Sequence, residues 1–341
     1  MTREPSSRSD VHVLKTSPAS LQADVARLLE TAPARTLDPA RATWIKVNGN
    51  FNVDYPGSNT SRWFLAALLG GLRDRGFRDV TIVEGDLPEF HAEDMARATG
   101  LEALAARFGV PFRSYESSPR DLAELPRELD EVQLVNAPVF HTHGQATISC
   151  ATKNLVGLLP WDRRKYHKHL SAKLLELRER VPCVTLVDGT VGLEGESTRR
   201  GDPVQCDVLI AGRDPITIDV VAAWLMGFDP ESIPLLSAAA ERSLVDFGRI
   251  TVRGDFQDLG SVPRRPFTLR ISPVRKIANL LSHAPVSLEP LYFVTDRLRV
   301  LLHKANFKKK QRGLVEGPWM EYAARAGEPV TTPPRSGGAE S

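Results

Sequence analysis

Short apolar runs alternate with amphipathic segments along most of this chain, and that alternation restricts the fold more than any other feature. ATWIKVNG (42–49), DVTIVEGD (79–86), VQLVNAPVFHTH (132–143), CVTLVDG (183–189) and DVLIAGRD (207–214) have the length and apolar content of buried strands. Between or after them, 60–76, 93–109, 171–181, 216–227 and 233–244 carry helical spacing. Strand and helix in turn predict an α/β fold, a mainly parallel sheet with helical crossovers that could divide into two lobes around a cleft. Asn59 or Thr60 is the expected N-cap of the 60–76 helix, and Gly76 its stop.

The expected organisation is a disordered N-terminus at 1–10, an α/β domain at 11–260, a C-terminal extension at 261–325 and a disordered tail at 326–341. Both ends are rich in Pro, Gly, Ser and Thr. Within the extension, residues 286–312 form an amphipathic stretch with a basic end, which predicts a packed helix, a lid or a peripheral membrane contact. The N-terminus has no apolar signal-peptide core, and no run of 18 apolar residues predicts a transmembrane segment. The three cysteines, Cys150, Cys183 and Cys206, lie far apart, as expected for reduced thiols in a cytoplasmic protein. A net charge of +2 predicts no nucleic-acid partner.

In sheets of this kind ligands bind beyond the carboxyl ends of the strands. Asp86, His141, His143, Asp188 and Asp214 fall there. Four of the eight histidines, His141, His143, His167 and His169, lie between 141 and 169. His141 and His143 share a face if extended. Lys153, in ISCATKNLVGLLP, has few polar neighbours, so an anionic ligand, a covalent link or a carboxylate partner is expected at its amine. NGNFNVDYPGSNTSR (48–62) runs into a helix. The helix's free N–H groups and Arg62 predict binding of a carboxylate or phosphate. Asn48, Asn59 and Asn154 are amides that could complete a substrate site. DGTVGLEGESTRRG (188–201) reads as a flexible polar loop, and Asp214 before Pro215 as a helix N-cap.

KVNGN (46–50), EGD (84–86), NAPVFHTH (136–143), TKNLVGLLP (152–160), DGTVGLEGE (188–196) and AGRDPITIDVVAAWLMGFDP (211–230) together resemble the family catalogued as domain of unknown function 362, over about residues 42–253. Some members carry an added ferredoxin-like domain. This chain lacks its cysteines, so no iron–sulfur cluster is expected. Many members have lysine where this chain has His141.

More distantly, the order Arg62, His143, Lys153, His169 is similar to the pattern of the nickel-pincer lactate racemase family. That resemblance implies a carboxylate clamp at Arg62, an acid/base at His143 and a cofactor anchor at Lys153. It implies a metal ligand at His169, with His141 as a further candidate and His91 as the second acid/base. A nickel-type or other divalent metal cofactor near Lys153 and His169 follows from it.

The expected function is an enzyme acting on a small anionic, carboxylate-bearing substrate by acid/base chemistry, of racemase/epimerase, isomerase or lyase type. The alternative is a non-catalytic carrier of an anionic ligand or metal.

Overall fold

A computed structural model describes residues 10–87, 89–160, 169–195, 198–199, 201–273, 276–277 and 317–326. The strands are β1 (Asp10–Lys15), β2 (Thr43–Val47), β3 (Val80–Glu84), β4 (Phe112–Ser114), β5 (Gln133–Ala137), β6 (Val139–His143), β7 (Thr147–Ser149), β8 (Cys183–Glu194), β9 (Asp202–Gly212) and β10 (Thr251–Gly254). The helices are α1 (Leu21–Leu29), α2 (Arg62–Asp74), α3 (Ala92–Thr99), α4 (Leu101–Phe108), α5 (Ala151–Asn154), α6 (Leu170–Arg180), α7 (Pro215–Leu225), α8 (Pro234–Glu241) and α9 (Met320–Arg325).

One ten-stranded, mostly parallel sheet runs in the order β10-β1-β9-β8-β5-β2-β3-β4, with β6 along β8 and β7 beyond β6. Strands β4, β3, β2, β5 and β8 are mutually parallel. Alternate residues of each strand feed two apolar layers. Trp44, Val83, Leu134, Val187 and Ile210 pack with residues of α5 to α8 on one face. Ile45, Ile82, Val135, Leu186 and Leu209 pack with α1, α2 and α4 on the other. This period-two split is what a sheet buried on both faces requires.

Several expected boundaries shift for identifiable reasons. The helix expected at 93–109 breaks into α3 and α4 at Gly100, whose φ of 76° lies in the left-handed region. The strand expected at 132–143 divides at Pro138. Proline has no N–H for a ladder, and β6 continues along the second half of β8. The expected polar loop from 188 is strand: β8 runs to Glu194, buried along most of its length and paired with β9. Ser61 caps α2, accepting the Phe64 N–H, in place of Asn59 or Thr60. Asp214 caps α7 as expected and accepts the Ile216 N–H.

From the C-terminal part, Tyr322 of α9 stacks on Trp63 with ring centroids 6.0 Å apart, and its hydroxyl donates to Asp207 Oδ1 at 2.7 Å. Residues 1–9, the 286–312 stretch, His167 and the tail from 327 lie outside the described residues. Among the described residues no helix is long and apolar enough to cross a membrane.

Candidate functional site

The chain leaves β2 to form β3 and β4 on one side, then returns to place β5 and β8 on the other. The carboxyl ends of β2 and β5 therefore flank the point where the winding reverses, and a crevice forms at such a point. Thr60 crosses it. Its hydroxyl donates to the Ala137 carbonyl at 2.6 Å and accepts the Asn48 N–H at 2.7 Å.

Below this edge lies an ion pair that sequence reasoning missed. Lys46 Nζ of β2 is 2.8 Å from Glu84 Oε1 of β3, with both side chains almost fully buried. Lys46 also donates to the Val47 carbonyl at 2.7 Å and to Asn154 Oδ1 at 3.3 Å. Glu84 accepts the Gly49 N–H at 2.6 Å and the Gly85 N–H at 2.8 Å. Asn154 donates to Asn136 Oδ1 at 2.8 Å, and Asn136 donates to the Ala151 carbonyl at 3.0 Å. Glycines close around the pair. A Cβ at Gly157 would lie 2.6 Å from Lys46 Nζ, and one at Gly85 would lie 2.5 Å from the Gly157 carbonyl oxygen. A lysine inside WIKV and a glutamate ending TIVE were the available signals, since a charge in an apolar strand needs a partner.

His141, on β6, is sealed from solvent. Its Nε2 lies 3.2 Å from the Ser58 carbonyl oxygen. A carbonyl only accepts, so Nε2 carries the proton and the neutral ring keeps its lone pair on Nδ1. That buried Nδ1 has no hydrogen-bond partner. Burial pushes the His141 pKa down to about 3, and the Lys153 ammonium acts in the same direction. Asn48 Nδ2 donates to the same Ser58 carbonyl at 2.9 Å. Asn48, His141 and Lys153 thus converge at the carboxyl edge. Lys153 is half-buried, on α5 between Thr152 and Asn154.

The other expected residues take different places. His143 Nδ1 accepts the Gln145 and Ala146 N–H groups at 3.2 and 3.1 Å, closing the β6–β7 turn. Arg62 is buried, pairs with Asp54 at 2.7 Å and lies against Gly100. Asn59 braces its own loop, accepting from the Phe51 N–H and donating to the Phe51 carbonyl, both at 2.9 Å. The start of α2 is occupied from within the chain, since Asp188 accepts the Ser61 N–H at 2.9 Å. Burial raises the Asp188 pKa.

His91 is exposed at the N-cap of α3, its Nδ1 2.6 Å from Asp86 Oδ2, and that carboxylate raises its pKa. His169 is exposed at the N-cap of α6. Among the described residues no group of three or more His, Cys, Asp or Glu side chains could hold a metal ion.

The family described as Domain of unknown function (DUF362) matches residues 44–224. A thylakoid-associated protein of Synechocystis sp. is 27% identical over 173 residues, which cover 45% of this chain and 54% of that protein. The chain thus spans about half the length of this curated relative.

Proposed function

The chain belongs to the DUF362 family, and from that premise we propose that it is an enzyme acting on a small carboxylate-bearing metabolite by acid/base chemistry. The observation that supports this reading is the pairing of a buried imidazole, bare at Nδ1, with the Lys153 charge at the carboxyl edge of the parallel strands. In the proposed mechanism the Lys153 ammonium attracts the substrate carboxylate. Neutralising that charge removes one of the influences that depress His141, and in the proposed mechanism substrate binding also opens the sealed ring, so that the imidazole can accept a proton. His143, two residues along the same strand face, is the second candidate for proton transfer. Two such groups serve a racemase or epimerase, and one serves an isomerase or lyase.

The purified protein should be incubated in D2O with a panel of small carboxylates, with proton NMR reporting deuterium entry at the carbon next to the carboxylate. Exchange that falls by ~10²-fold in His141→Gln, and with it in Lys153→Met, is expected for acid/base catalysis. Binding without exchange would favour the carrier. Neither binding nor exchange with any member of the panel would remove the reading.

The cytoplasm is the compartment we propose. The relative's name and the basic stretch 286–312 favour a second reading, peripheral contact with a membrane surface. Co-sedimentation with anionic vesicles, compared between the full chain and a chain ending at residue 285, distinguishes the two.

A further inference from the structure

The segment carrying Lys153 is fastened at its start by one carboxylate. Asp219, in the middle of α7, accepts the Ala151 N–H through Oδ1 at 2.7 Å and the Thr152 N–H through Oδ2 at 3.1 Å. Both oxygens are committed to the two residues directly before Lys153. The side chain is buried, and among the described residues no lysine, arginine or histidine forms an ion pair with it. The nearby arginine, Arg178 of α6, is taken by Asp214, which it grips through Nε at 3.0 Å and through its NH2 group at 2.8 Å. The α5–α7 contact therefore holds a carboxylate that has N–H partners and no counter-charge.

We infer that Asp219 is a positioning residue for Lys153, which it holds in register through the Ala151 and Thr152 amides when ionised and releases when protonated. This inference rests on the proposed role of Lys153, although the clamp itself can be tested without any substrate. A hydrogen bond to a carboxylate is roughly twice as strong as one to a neutral acceptor, so adding the proton weakens both arms and leaves one oxygen as a donor. Burial pushes the Asp219 pKa up to about 7, so the change falls near neutrality. The ionisable groups that bear on it are Asp214 at the start of α7, whose charge acts in the same direction and which Arg178 pairs with, and Cys150 just before α5. The Cys150 thiol, raised by burial and then by Asp219, stays protonated through this range. Asp219 is thus the group whose charge changes.

The test is competitive labelling with acetic anhydride between pH 5.5 and 8.5, quantified by peptide mass spectrometry as the reactivity of Lys153 relative to the mean of the surface lysines. In the wild type this ratio should fall by roughly threefold as pH rises through 7, because the ionised carboxylate grips the Ala151 and Thr152 amides more tightly and restrains the amine that follows. In Asp219→Asn, which cannot ionise, the ratio should stay flat. A flat wild-type profile, or the same fall in the variant, would overturn the inference. Should the variant fail to fold, hydrogen exchange of the wild-type peptide around 150–154 decides. Its protection, corrected for intrinsic rates, should rise through pH 7 while that of β2 and β5 does not, and an unchanged profile rejects the clamp. These readings need no turnover. An inactive protein that retains the transition would remove the enzymatic proposal and leave the clamp standing.

Discussion

Lys46 and Glu84 lie side by side on β2 and β3, with Nζ and Oε1 2.8 Å apart and both carboxylate oxygens also accepting backbone N–H groups from the loops that follow these strands. The pair joins two strand ends, two loops and, through Asn154, the segment carrying Lys153. Removing one partner leaves a buried charge without compensation, which costs about 3–5 kcal/mol. Lys46→Met and Glu84→Gln should each lower stability by that order in urea unfolding. The double variant Lys46→Met/Glu84→Gln should lose less than the sum of the singles, because it strands no charge and the amide oxygen still accepts a backbone N–H. A double variant as unstable as the sum of the singles would show that the two residues act independently.

Gly157 has no room for a side chain, since a Cβ there would lie 2.6 Å from both Cε and Nζ of Lys46 and 2.9 Å from Glu84 Oε1. Gly157→Ala should therefore push the ammonium from its partners and cost about 1–3 kcal/mol, in the manner of other overpacked interiors. In the Lys46→Met background the flexible thioether can yield, so the same substitution should cost less. Equal penalties in both backgrounds would place the strain elsewhere.

The sheet was legible in the sequence because each buried strand is a run such as TIVE or DVLI, bounded by polar loops. Legibility stopped where a backbone event lay inside a periodic run: Gly100 interrupts a helical pattern, and Pro138 divides an apolar one. It failed differently for DGTVGLEGE. Its glycines suggest flexibility, yet a Cβ would meet the Phe140 ring and the Val208 carbonyl at Gly189, and the Phe267 ring at Gly192. At the site, local chemistry marked His141, Lys153 and Asn154. The partners that give them meaning, Ser58, Lys46, Asn136 and Asp219, lie between 18 and 108 residues away, and spacing along the chain does not report such contacts. Arg62 stands out in the sequence for its charge, but Asp54, eight residues earlier, pairs with it.

His91 offers a titration readable without knowledge of the substrate. The Asp86 carboxylate, 2.6 Å away, raises the pKa of the exposed imidazole. Burial raises the Asp86 pKa, but the Ala92 N–H, His91 and Ser114 together hold it below the ordinary value. Asp86→Asn should bring the His91 pKa down to that of an ordinary exposed histidine, as followed in proton–nitrogen NMR spectra. A titration midpoint that does not move would mean that the close contact is absent in solution.

His141 makes the fold sensitive to acid in a defined window. Its pKa is about 3 in the folded protein and near 6.5 in the unfolded chain, so between these values the unfolded state holds the extra proton. The stability contributed by the neutral, buried ring is fully present above pH 6.5. It drains away as pH falls toward 3, by an amount on the order of a few kcal/mol. Asp219 works in the opposite sense, because its folded pKa is raised to about 7. Its stabilising contribution is fully present below the ordinary aspartate value and is lost as pH rises through 7. These two windows overlap between about pH 4 and 6.5 and act in opposite senses there, so urea midpoints of the wild type should change little across that range. His141→Asn keeps a donor for the Ser58 carbonyl but cannot take up a proton. It should uncover the Asp219 contribution, so that its midpoints decline as pH rises from about 4 to 7 and level off above that. If His141→Asn shows the same pH profile as the wild type, the buried imidazole does not titrate in this window, and the neutral tautomer on which the proposed chemistry depends has no support.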